Sequence, residues 1–134
     1  MTSFALVTAA ILTIVIGVVH SWLGEVRLIG PLVSAETSQG ILAKSAFARG
    51  VLRFAWHLTS IAWWGLAAMM WELSSGPIAG HDRVILAIIG LMFLATGATT
   101  LIASRGRHLA WIVFLAIAGL SVVPLLPAAQ SALP

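Results

Sequence analysis

The stretch "VILAIIGLMFLATGATTLIA", residues 84–103, decides the fold class, because none of its residues is charged. A helix needs about 20 mostly apolar residues to cross the hydrocarbon core of a bilayer. Backbone polar groups cannot stay unpaired there, so such a segment has to be helical. The stretch therefore predicts a transmembrane α-helix.

The composition of the whole chain supports this prediction. Hydrophobic residues make up 60% of the 134 residues and charged residues only 8%. A soluble domain has about 25% charged residues, so the expected surroundings are a lipid bilayer. The length indicates one domain, residues 1–134. The seven Lys and Arg form no dense run, which gives no indication of a nucleic-acid partner. The absence of cysteine excludes disulfides and thiolate metal sites.

Three further apolar segments are long enough to span, at about residues 4–23, 51–71 and 108–126. With residues 84–103 they predict an all-α integral membrane four-helix bundle of up-down topology. The first segment lacks a positive n-region and is too long for a signal-peptide h-region, so we expect it to remain as a span.

The connections between the segments differ in kind. After the first segment, Gly30-Pro31 predicts a break in the helix. The run "AETSQGILAKSAFARG", residues 35–50, has Phe47 and other apolar residues on one face and Lys44 and Arg49 on the other. That pattern predicts a short helix lying in the membrane interface between helices one and two.

The positive residues predict an orientation. Lys and Arg are enriched in the cytoplasmic loops of membrane proteins. Of the three connections, the second holds one positive residue, Arg83, and the other two hold or flank six. Both termini are therefore expected on the outer side, which is the periplasm in a bacterial inner membrane. The six residues are Arg27, Lys44, Arg49, Arg53, Arg105 and Arg107.

Histidines and charges gather at the predicted cytoplasmic helix ends. At about 1.5 Å per residue, His20 lies roughly 7 Å deeper than Glu25, and His57 lies roughly 6 Å deeper than Arg53. His20 and His57 are therefore expected at matching depth on helices one and two. His108, at the start of helix four, is expected nearer the water.

A cofactor site is one interpretation of these residues. Two neutral imidazoles on different helices can ligate a haem b or a divalent metal. In the haem version His20 and His57 are the axial ligands. Gly17 makes room for the porphyrin, and Arg53 or Arg49 meets a propionate. Trp63 and Trp64 either flank the ring or fill core space. In the metal version the ligands are His20, His57, His108 and Glu25.

The other interpretation is structural. Histidine and tryptophan suit the membrane interface, and Arg53 can either snorkel to the water or pair with Glu25. Small residues such as Gly17, Gly90 and Gly97 allow helices to pack closely. This favours a structural or accessory protein that packs against a larger membrane complex or itself. A small solute or proton transporter is the third alternative, and no catalytic residue is predicted.

The runs "HSWLGEVRLIGPL", residues 20–32, and "VLRFAWHLTSIAWWGLA", residues 51–67, resemble a group of small bacterial inner-membrane proteins to which no function is assigned. The resemblance covers helices one and two, about half of the chain. It implies four spans and a bacterial membrane, and it brings no activity or cofactor.

Overall fold

The computed structural model describes residues 2–34 and 39–126, and within these ranges it is helical with no strand. The predicted periplasmic termini (residues 1 and 134) and the first residues of the predicted interfacial helix (35–38) lie outside the described residues. The helices are α1 (Thr2–Gly24), α2 (Gly30–Val33), α3 (Ile41–Lys44), α4 (Ala46–Leu73), α5 (His81–Ser104) and α6 (Ala110–Val122), with a π-helical turn at Glu25–Ile29 and a 3-10 turn at Val123–Leu125.

Two helices of the described residues are long and apolar enough to cross a membrane. They are the continuous helix Ser3–Val33, of 31 residues, and α5, of 24 residues. A core helix of a soluble protein can meet the same criteria, but the most apolar parts of these two helices are only 33% and 28% buried. Ala110–Leu125 is apolar and shorter. The helix α4 is long enough, but Arg53, His57 and its tryptophans lower its mean hydropathy.

The predicted helix break at Gly30-Pro31 is wrong. The chain continues from α1 through the π-helical turn into α2, so the first helix extends ten residues beyond the predicted end at 23. The Gly30 N–H donates to the carbonyl of Glu25, five residues back. Pro31 has no N–H and its ring crowds the preceding turn. The wider π-helical turn before Pro31 accommodates the ring and the missing N–H, so the helix continues.

The predicted interfacial helix is divided in two. Ser45 is extended, with φ −131° and ψ 109°, and it ends α3. Its hydroxyl oxygen accepts the Ala48 N–H at 3.1 Å, which caps the first turn of α4. Phe47 and Arg49 therefore belong to the long helix α4. The guanidinium of Arg49 donates to the carbonyl of Leu42 at 2.6 Å, across the division.

The chain divides into two compact units. One comprises Met1–Leu12 with Ala67–Pro134, and the other comprises Thr13–Leu66. In the first unit α5 and α6 form an antiparallel hairpin. Arg105 and Gly106 make the turn with positive φ values of 51° and 77°.

Small residues bring the two helices of the hairpin together. A Cβ on Gly90 would lie 2.6 Å from Val122, and one on Gly97 would lie 2.8 Å from Leu115. The predicted packing role of these two glycines is therefore confirmed. The buried core beside them includes Leu86, Ile89, Phe93, Phe114 and Ile117.

Candidate functional site: a polar cluster of α1 and α4

Two tryptophans of α4 lie against the backbone of α1 in the unit Thr13–Leu66. The Trp64 Nε1–H donates to the carbonyl of Ile14 at 3.2 Å, and its ring lies over Gly17. The Trp56 Nε1–H donates to the carbonyl of His20 at 3.1 Å, and its ring lies over Gly24. Each indole thus needs a glycine beneath it, which explains why α1 has glycines seven residues apart.

An ion pair lies one turn further along. Glu25 Oε1 is 2.8 Å from Arg53 Nη2, and Glu25 Oε2 is 3.3 Å from His57 Nε2. Arg53 and His57 share a face of α4 because they are four residues apart. Both oxygens of the carboxylate are therefore engaged by groups of the partner helix. Of the two structural roles expected for Arg53, snorkelling and pairing with Glu25, the structure shows the pairing.

Two serine hydroxyls continue these polar contacts into the protein. His57 Nδ1 is 3.0 Å from Ser21 Oγ, and the Ser21 hydroxyl donates to Ser60 Oγ at 2.9 Å. Ser60 is fully buried, whereas the side chains of His57 and Glu25 are each 34% exposed. A continuous chain of polar contacts thus runs from the half-exposed Arg53 to the buried Ser60. We call these five residues, Ser21, Glu25, Arg53, His57 and Ser60, the polar cluster.

The imidazole of His20 has different surroundings from that of His57. Its ring stacks on Trp56, with centroids 4.3 Å apart and planes 8° from parallel. Trp63 contacts it at an angle of 60°, with centroids 5.0 Å apart. His20 thus contacts two indoles, and His57 is joined to a carboxylate and a hydroxyl.

The residues of the predicted haem site have protein partners in this structure. A Cβ on Gly17 would lie 2.6 Å from Trp64 Nε1, so the indole fills the space that the haem hypothesis assigned to the porphyrin. Arg53, assigned to a propionate, pairs with Glu25. Both ring nitrogens of His57 have partners. This arrangement would have to open before a haem could bind, and the haem site stays a prediction.

Predicted metal ligands also make contacts with other protein groups. Within residues 2–34 and 39–126, no group of three or more His, Asp or Glu could hold a metal ion. Glu25 and His57 do lie together, but Arg53 places a positive charge on the same carboxylate. His108 belongs to the other unit, where its Nδ1 accepts the Ala110 N–H at 3.3 Å at the start of α6.

The order carboxylate, imidazole and hydroxyl in Glu25, His57 and Ser21 resembles the order in a hydrolase triad, which is recognised by geometry. An acyl-transfer site also needs donors for the oxyanion. Ser21 lies inside α1, where the backbone N–H groups around it are used by the helix itself. The geometry therefore favours a hydrogen-bonded contact between helices over a nucleophile.

Sequence reasoning missed the contribution of Ser21 and Ser60 to the polar cluster. A signal for them was present, since Arg53, His57, Ser60 and Trp64 follow one another at steps of four and three on α4. Such steps mark one helix face. The spacing could not show which side chain of α1 would meet that face.

Comparison of the chain with family models, curated proteins and solved structures gives no match in any of the three.

Proposed function

We propose that the chain is a four-span integral protein of a bacterial inner membrane, with periplasmic termini, and that its role is structural. It would pack as an accessory protein against a larger membrane complex or a second copy. One observation carries the proposal. In the polar cluster both carboxylate oxygens of Glu25 and both ring nitrogens of His57 have protein partners, so these contacts fasten α1 to α4 and occupy the groups that a ligand would need.

Exposed apolar side chains support the membrane location. On α5, Ile88 is 60% exposed and Leu91 is 66% exposed. On α1, Val15 and Val18 are 52% and 50% exposed. Contact with water costs about 25 cal/mol for each Å² of apolar surface, whereas contact with lipid does not carry this cost.

The outer face of α4 supports the packing role. Phe47, Phe54 and Ile61, seven residues apart, are 81%, 63% and 53% exposed. Gly50 and Gly65 on the same helix have nothing within 4 Å of a Cβ. Apolar residues with accessible glycines are what close packing between membrane helices requires. This face is therefore where a partner helix would dock.

Absorbance spectroscopy and elemental analysis of pure protein from haem-sufficient cells test the structural role against the cofactor alternatives. We expect a colourless, metal-free preparation in which His57→Ala lowers the melting temperature. A Soret band that disappears in His57→Ala and in His20→Ala would overturn the proposal in favour of a haem protein. A stoichiometric divalent metal lost in the same variants would favour the metal alternative.

The polar cluster also makes a proton transporter the second candidate, since a chain of polar contacts extends from Arg53 to the buried Ser60. Proteoliposomes containing a pH-sensitive dye separate the two roles. A structural protein gives the proton leak of empty liposomes. A leak that is well above this level and is abolished in Glu25→Gln would favour transport.

A further inference from the structure

An apolar groove lies at the open end of the α5–α6 hairpin. The groove is shallow and open, and it is lined by the first turns of α5 and by the 3-10 turn that follows α6. Val84, Ile88 and Leu91 line it and are 58%, 60% and 66% exposed. From Arg83 to Leu91 the groove extends about 12 Å along the helix, at 1.5 Å per residue. Its lining residues are Arg83, Val84, Ala87, Ile88, Leu91 and Leu125.

Arg83 is held at the mouth of this groove. Its Nη2 donates to the carbonyl of Leu125 at 2.8 Å, which fixes the guanidinium across the two helices. In residues 2–34 and 39–126 no carboxylate forms an ion pair with it. The neighbouring Asp82 carboxylate instead accepts the Ala79 N–H. The guanidinium has five N–H donors, so several remain for an anion.

We propose that the groove binds an acyl chain of a membrane phospholipid, with the lipid phosphate on the guanidinium of Arg83. The arrangement matches the lipid in two respects. The charge of Arg83 complements the phosphate, and a guanidinium can bind phosphate oxygens in pairs. The apolar lining begins at the next residue and continues inward, as an acyl chain does below its head group. This inference rests on the membrane location proposed above.

The hairpin provides its own control for a general attraction of lipid to positive charge. At the other end of α5 the turn carries two exposed arginines, Arg105 and Arg107, which do not line this groove. If charge alone retained lipid, removing one of these would matter as much as removing Arg83. If the groove is a specific lipid site, removing Arg83 should weaken lipid binding more than removing Arg105 or Arg107.

The experiment first establishes whether the protein stays in membranes washed with alkaline carbonate. The detergent-purified protein is then examined by native mass spectrometry with added phosphatidylglycerol or with diacylglycerol, which lacks the phosphate. We expect phosphatidylglycerol to bind and diacylglycerol to bind far less. Arg83→Gln should weaken phosphatidylglycerol binding about tenfold, the effect of losing one charged contact, while Arg107→Gln should leave it unchanged. Ala87→Trp should fill the groove and also reduce binding.

The outcomes separate the two proposals. Extraction of the wild type by carbonate would overturn the membrane location. Retention in the membrane with equal lipid binding by the wild type, Arg83→Gln and Ala87→Trp would overturn the groove alone. Ala87→Trp keeps the inference testable if Arg83→Gln fails to fold, because it leaves the contact with Leu125 intact. Dimers crosslinked through Leu91→Cys would assign the groove to a second copy and also overturn the lipid assignment.

Discussion

The indole of Trp64 donates to the carbonyl of Ile14 and lies directly over Gly17, where a Cβ would be 2.6 Å from its Nε1. Gly17→Ala should therefore displace the ring and break this hydrogen bond. Overpacking of this kind costs about 1–3 kcal/mol. We expect a lower melting temperature in detergent and an altered tryptophan emission spectrum.

Gly119→Ala is the matched control, because it adds the same methyl group to the interior of α6 with nothing within 4 Å. There alanine should be neutral or should stabilise the helix by up to about 1 kcal/mol. Equal melting temperatures for Gly17→Ala and Gly119→Ala would show that Trp64 does not pack on Gly17.

A double-mutant cycle of Glu25→Gln and Arg53→Gln should measure the strength of their ion pair. The two side chains are 34% and 50% exposed, so solvent screens the attraction. Exposed pairs contribute about 0.2–1 kcal/mol, and we expect a coupling energy in this range. The cycle needs the free energy of unfolding of the wild type, the two single variants and the double variant, each measured in a mild denaturing detergent. High salt should reduce the coupling.

Glu72→Gln provides the comparison, because Glu72 lies exposed at the other end of α4 and its side chain forms no contact with Arg53. A cycle of Glu72→Gln with Arg53→Gln should give no coupling. If Glu25 and Arg53 also gave none, their ion pair would not contribute to fastening the two helices.

Apolar length and composition predicted the all-helical class of the fold. The uncharged run 84–103 corresponds to α5, and a turn at Arg105 and Gly106 follows it. The continuation of α1 to Val33 was not predictable in the same way. Proline normally ends or kinks a helix, and only the wider hydrogen-bonding pattern at Glu25 shows how this one continues.

Part of the polar cluster could be predicted from charge and depth, and part of it could not. The pairing of Glu25 with Arg53 follows from opposite charges at matching depth on neighbouring helices. The partners of His20 and His57 depend on the rotation of each helix about its axis, and both tryptophan and histidine are compatible with several rotations. The glycines beneath Trp56 and Trp64 hold the clue, but a small residue alone does not show which side chain covers it.

Pro31→Ala should restore a regular α-helix between Gly24 and Val33. The Gly30 N–H now donates to the Glu25 carbonyl, five residues back, and alanine would supply the donor that proline lacks. Backbone hydrogen-bond couplings in NMR spectra should then show Gly30 bonded to Val26. Persistence of the bond to Glu25 would instead assign the wide turn to the contacts of Glu25 with α4.

The chain has no cysteine, so single cysteines report topology without a background signal. Ser75 precedes α5 and Arg107 follows it, and both are exposed. If α5 spans the inner membrane as proposed, a membrane-impermeant maleimide should label Ser75→Cys in spheroplasts and label Arg107→Cys only after lysis. The loop that contains Ser75 has only one positive residue, whereas the other two connections hold or flank six. This difference predicts that Ser75 is periplasmic and Arg107 cytoplasmic. Labelling of both positions in unlysed spheroplasts would show that α5 does not cross the membrane, and the reverse pattern would invert the proposed orientation.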